Sequence, residues 1–81
     1  MHELLDVIAV EVEPNFRLLL TFENGERRRL DMASWLRRKP FVPLQDARLF
    51  AAARVEYGTV VWPGEVDVAP EALYERSVAA G

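Results

Sequence analysis

Cysteine is absent from the sequence. That excludes disulfides, thiolate zinc sites, iron–sulfur clusters and cysteine nucleophiles. It also favours a reducing compartment, because small secreted domains are usually stapled. Histidine occurs once, as His2 at the N-terminus, where nothing is expected to orient it as a general base must be oriented. Serine occurs only at Ser34 and Ser77, without triad partners. The four glycines, Gly25, Gly58, Gly64 and Gly81, are scattered, so they form no phosphate-cradling loop. A metal would have to be held by carboxylates alone, and their spacing fits no EF-hand. No metal or cofactor is expected. Met1-His2-Glu3-Leu4-Leu5-Asp6 has neither a basic start nor a long apolar run, so a secretory leader is not expected. No stretch approaches the roughly 20 apolar residues of a membrane span. The expectation is a cytoplasmic protein without membrane contact.

What is present suits one domain over residues 1–81, since 51% of the 81 residues are hydrophobic. Charge is unevenly distributed. Residues 1–26 hold six acids and one base, residues 27–39 six bases and one acid, and residues 40–81 six acids and three bases. A basic segment therefore interrupts an acidic protein.

Periodicity gives the elements. Val7, Ile8, Val10 and Val12 predict a strand over Asp6 to Val12, with Ile8, Val10 and Val12 on one side and Val7 and Ala9 on the other. Pro14-Asn15 turns. Phe16, Leu18, Leu20 and Phe22 alternate strictly and predict a second strand with one core face. Asn24-Gly25 is a strong hairpin signal, and a third strand follows over Glu26 to Leu30. A three-residue loop with Gly25 left-handed would pair Phe22 with Glu26, Leu18 with Leu30 and Arg17 with Asp31. A two-residue loop would shift every side chain to the other face. The first register is preferred, because it joins Leu30 to the apolar face.

Asp31 is placed to cap a helix, with Met32, Trp35 and Leu36 as its apolar stripe. Arg37, Arg38 and Lys39 would complement its C-terminal dipole, and Pro40 would end it. Phe41 to Leu44 is expected to be extended. Asp46 starts a second short helix, with Leu49 and Phe50 inward. Arg54 to Tyr57 and Thr59 to Trp62 read as strands joined at Gly58, and Pro63-Gly64 as a turn. Val66-Asp67-Val68 leads to Pro70, which suits the first position of a third helix, with Leu73, Tyr74, Ser77 and Val78 inward. The order is β-β-β-α-α-β-β-α, an α+β fold with a mostly antiparallel sheet and three short helices.

Two stretches carry a resemblance. One is Phe22-Glu23-Asn24-Gly25-Glu26 with Leu30-Asp31. The other is Trp62-Pro63 with Asp67-Val68-Ala69-Pro70-Glu71-Ala72-Leu73-Tyr74. Together with Phe41 to Leu44 and Phe50 between them, the chain resembles the bacterial family called domain of unknown function 2442. The chain departs from that pattern at Gly64-Glu65, where Asn-Gly is expected. The resemblance implies a small α+β fold. It also implies that some relatives carry an added helix-turn-helix region, and it supplies no catalytic residues.

Several residues invite a role. Asp31 and Asp67 each precede a predicted helix, so each reads first as a cap or turn carboxylate. Paired with Arg17 in a shared cleft, they would suit a small hydrolase. Arg27 and Arg29 share one strand face and Arg28 the other, while Arg37, Arg38 and Lys39 fan around a helix end. These could form a nucleic-acid-associated regulator, but no aromatics interleave with them, and a pI of about 5.1 opposes phosphate attraction. Trp62 is expected to pack on Leu73 and Tyr74, a structural clasp between the last strand and the last helix.

No catalytic constellation emerges, so the leading expectation is a non-enzymatic interaction or regulatory module. Its partner would be a second copy or a small protein. The first strand is apolar on both faces until Glu11, so it is either central in the sheet or an edge covered by something. A cavity holding both acids and Arg17 would favour an enzyme. A continuous positive face would favour nucleic acid, and an open strand edge a protein partner.

Overall fold

Asn24-Gly25 turns the chain where the sequence predicts. In the computed structural model, which describes residues 5–80, strands β1 (Val7–Glu13), β2 (Arg17–Phe22) and β3 (Arg27–Asp31) form an antiparallel meander. His2 and Gly81 lie outside the described residues. Arg17 stands opposite Asp31, Leu18 opposite Leu30 and Thr21 opposite Arg27. The Phe22 amide donates to the Glu26 carbonyl at 2.9 Å, and Gly25 has φ +89°. This is the three-residue loop with a left-handed glycine, where a side chain would be strained. The register buries Leu18, Leu20, Phe22 and Leu30 together.

Strict alternation fails in β1. Val7 faces Phe22 but Ala9 faces Thr21, so Ile8 is an inserted residue, a bulge. The bulge carries Val7 onto the same inward face as Val10 and Val12, and it leaves Ile8 59% exposed. Phe16 does not begin β2. It sits in the preceding turn with φ +60°, its ring edge-on to Phe50 at 5.2 Å.

The expected helix after Asp31 is reduced to one 3-10 turn, Trp35–Arg37. Pro40 restricts the residue before it to extended conformations, and Arg38 is already extended. Too few residues remain to offset helix nucleation. Met32 and Leu36 are nevertheless buried. Phe41 to Leu44 is not extended either, because Val42–Gln45 is a second 3-10 turn. Asp46 caps α1 (Ala47–Phe50) by accepting from the Arg48 amide.

The remaining strands form a second sheet rather than joining the first. It contains β4 (Arg54–Glu56), β5 (Thr59–Trp62) and β6 (Val66–Asp67), all antiparallel. Tyr57 and Gly58, both at positive φ, turn β4 into β5. In the turn after Trp62-Pro63, Gly64 and Glu65 both have positive φ. Glu65 thus adopts the left-handed conformation that a glycine would hold more easily. Helix α2 (Pro70–Arg76) follows, and Ser77 is extended. Val78 is not on its inner stripe. It belongs to β7 (Val78–Ala79), which pairs with Arg28 and Arg29 of β3 and is 66% exposed.

The first sheet therefore runs β1-β2-β3-β7. Its buried face meets Phe50, Val60, Trp62, Val66 and Leu73 in one core. The sheets are tied at one corner, where the Val7 amide donates to the Gly58 carbonyl at 2.9 Å. The architecture is α+β, with two antiparallel sheets, two α-helices and two isolated 3-10 turns among the described residues.

Candidate interaction surfaces

Side-chain alternation sends Glu11 and Glu13 of β1, Arg17 of β2, and Arg27, Arg29 and Asp31 of β3 to the outer face of the first sheet. Arg29 reaches diagonally to Glu13, its Nε 2.7 Å from Oε1 and its second contact at 3.1 Å. Arg27 reaches Glu11 at 3.2 Å, and Arg17 lies 3.9 Å from Asp31. The hydrogen bond from Arg29 holds the Glu13 carboxyl below its ordinary pKa and raises that of Arg29 in return. Each of these three arginines thus faces a carboxylate, and the outer face is a charge lattice rather than a continuous positive surface. Such solvent-screened pairs contribute little stability.

Arg28 points the other way, as alternation predicts, and its side chain is only 17% exposed. Its Nε donates to Ser77 Oγ at 2.8 Å and its Nη2 to the Ser77 carbonyl at 2.7 Å. Its guanidinium lies 4.2 Å from the centre of the Tyr74 ring, a cation–π contact. The Tyr74 hydroxyl contacts both Glu26 oxygens, at 2.8 and 2.9 Å, and its ring stands edge-on to Phe22. Hydrogen bonds from Tyr74 first, then from Asn24 and Arg28, lower the Glu26 pKa, while Glu26 raises that of Tyr74. This seam locks the β2–β3 hairpin to α2 and β7. The sequence reading missed Glu26, Arg28 and Ser77 as a unit. The available signal was an arginine sharing the face of buried Leu30.

Among the described residues, neither the notch beside α2 nor the depression beside β6 is lined by both suspected acids. Asp31 accepts from the Ala33 amide at 3.0 Å, a turn carboxylate at the end of β3. Asp67 is not a helix cap, because it lies within β6 opposite Val61 and Ala69 precedes α2. Asp67 lines a shallow depression with Arg54, Glu56 and Tyr57, which neither Asp31 nor Arg17 borders. Trp62 is buried, 1% exposed. Its indole N–H donates to the Phe50 carbonyl of α1 at 2.9 Å and the two rings stack at 5.9 Å, while Trp62 also shares the buried core with Leu73 of α2, against which Tyr74 packs.

Two surfaces remain. The first is the outer edge of β1, which among the described residues is an edge strand and not a central one. Beyond the Val7–Gly58 tie, Ile8 and Val12 are exposed and Val10 is half-buried. The second is a notch where the first 3-10 turn meets α2. Arg37 and Lys39 are exposed outside it, and Arg38 lines it. Among the described residues no cluster of three or more histidines or acids could hold a metal ion. None of the helices there is long and apolar enough to cross a membrane.

The family model described as "Protein of unknown function (DUF2442)" matches residues 7–79, nearly the whole chain, and the chain belongs to that family. No curated protein matches it, and no solved structure does.

Proposed function

We propose that this DUF2442 member is a non-enzymatic interaction module whose contact element is the free edge of β1, and that the element pairs with β1 of a second copy. One observation carries the reading: β1 is a seven-residue strand at the rim of its sheet, with Ile8 59% exposed beside a half-buried Val10 and an exposed Val12. An open edge presents unpaired backbone donors and acceptors, and apolar side chains along it favour another strand over water. Two-fold antiparallel pairing centred on Val10 sets Ile8 against Val12 of the second copy, and Ala9 against Glu11. Centring on Glu11 would set two glutamates face to face, which is destabilising. The centred-on-Val10 register therefore suits self-pairing.

The hydrolase and nucleic-acid alternatives lack comparable support. Asp31 and Asp67 share neither of the two cavities described above, and Arg17, Arg27 and Arg29 face carboxylates.

Sedimentation equilibrium tests the reading. The expected mass at tens of micromolar is twice the 9.3 kDa of the chain, and Ile8→Lys, which places a charge on an already exposed site, should return it to the monomer. A wild-type mass that stays at 9.3 kDa into the high micromolar range would eliminate the second copy. A different protein strand would then be the remaining occupant of that edge.

A further inference from the structure

The notch between the first 3-10 turn and α2 is lined by Ser34, Trp35, Arg38, Phe41, Ala72 and Arg76 and encloses about 220 Å³. Its composition is one-sided. Two guanidinium side chains and a hydroxyl share it with an aromatic pair, Trp35 and Phe41, packed edge to face at 5.6 Å. Among the described residues no carboxylate lines it. Among the described residues neither Arg38 nor Arg76 forms an ion pair, although the chain carries thirteen acids against ten bases. Elsewhere in the molecule Arg17, Arg27, Arg28, Arg29 and Arg54 each have a glutamate or aspartate partner. Arg37, Lys39 and Arg48 form no ion pair among the described residues either, so what sets Arg38 and Arg76 apart is that they share one concavity with an aromatic pair.

We infer that this notch binds a small organic anion, a carboxylate carried on an aromatic or aliphatic body. Arg38 and Arg76 meet the oxyanion, Ser34 adds a hydroxyl donor, and Trp35 and Phe41 wall the apolar part. Arginine suits this head group because its planar fork matches a carboxylate's two oxygens. The apolar wall separates an organic acid from a bare inorganic ion, which would gain nothing from the aromatic pair. The volume limits the size, because pockets for drug-sized ligands run roughly 300–1,000 Å³. The site is remote from the β1 edge in sequence and in role, so it does not depend on the self-pairing reading.

Titration of the full chain with benzoate tests it, read by the NMR signal of the Trp35 indole N–H. Trp62 serves as the internal control, since its indole is buried against Phe50. Benzoate should shift the Trp35 signal saturably and leave Trp62 unmoved, while neutral benzyl alcohol and inorganic phosphate should each bind at least about tenfold more weakly. Arg38→Ala and Arg76→Ala, both at the surface, should each weaken benzoate about ten- to a hundredfold, the scale of a lost charge-assisted hydrogen bond. Arg38→Lys should recover part of the loss, because charge returns without the fork. Benzyl alcohol binding as well as benzoate would overturn the anion site, as would either alanine variant titrating like the wild type. Phosphate binding as tightly as benzoate would overturn the organic-acid assignment.

Discussion

Arg27-Arg28-Arg29 and Arg37-Arg38-Lys39 are both cation triplets, yet the fold treats them differently. The first lies on a strand whose neighbours supply acids. Period-two alternation aims Arg27 and Arg29 at Glu11 and Glu13 and turns Arg28 inward onto Ser77, Glu26 and Tyr74. The second begins at the last residue of a single 3-10 turn and forms no ion pair among the described residues. The tryptophans divide in the same way: Trp62 is buried with its N–H bonded, while Trp35 is half-buried at a notch. Similar residues thus serve architecture where partners converge on them. Where they do not converge, the same groups stay open to a ligand.

The widest gap should separate the tryptophans. Trp62→Ala empties a fully buried site and removes the Phe50 hydrogen bond, so it should cost about 3–5 kcal/mol. Trp35→Ala, at a half-buried site, should cost less, about 1–2 kcal/mol. Chemical denaturation reads both, and equal losses would break the division. Next comes Arg28→Ala. It leaves the Ser77 carbonyl and hydroxyl without their charged donor and should cost about 2–3 kcal/mol. A loss below 1 kcal/mol, measured the same way, would show that the seam is ornamental to stability.

A smaller effect is expected from pH, because the Glu26 side chain keeps 38% of its exposure. Its pKa is lowered in the folded chain. Its contribution is therefore complete above the ordinary glutamate value, about pH 4.3, and is lost as pH falls through the lower folded value. Glu26→Gln should flatten the decline in stability as pH falls below the ordinary glutamate value of about 4.3. An unchanged slope in acid titrations followed by circular dichroism would contradict the assignment. The smallest effects separate the triplets themselves. Arg27→Ala, from an exposed pair, should cost less than about 1 kcal/mol, and Arg37→Ala should stay within about 0.5 kcal/mol of the wild type.

Local signals were legible where a short-range rule decides the outcome. Gly25 fixed the hairpin loop, alternation then set Leu18 against Leu30, and Asp46 capped its helix. The misreadings arose where a long-range partner decides. Val78 continues the helical stripe of Leu73 and Tyr74 in sequence, but Arg28 holds Ser77 and draws Val78 out into a strand. Ile8 fits the alternation of β1, and only the paired strand reveals the bulge. Asp67 resembled a cap because Pro70 follows it, yet pairing with Val61 claims it for β6. The open edge was foreseen as one of two options, and strand order decided between them. The notch went unread because Arg76 and Arg38 are far apart in sequence, and only the packing of α2 beside the 3-10 turn brings them to one cavity.

The pairing of β7 with β3 also imposes an order in time during synthesis. Arg28 leaves the ribosome 49 residues before Ser77, an interval of roughly 2–10 s at cellular elongation rates of about 5–20 residues per second. A hairpin forms in about 1–10 μs, so the β2–β3 ribbon has ample time to zip up long before its last neighbour exists. Throughout that wait the outer rim of β3 lacks its strand and the Arg28 guanidinium lacks its serine. The nascent chain therefore carries a temporary adhesive edge that the folded protein later covers with β7.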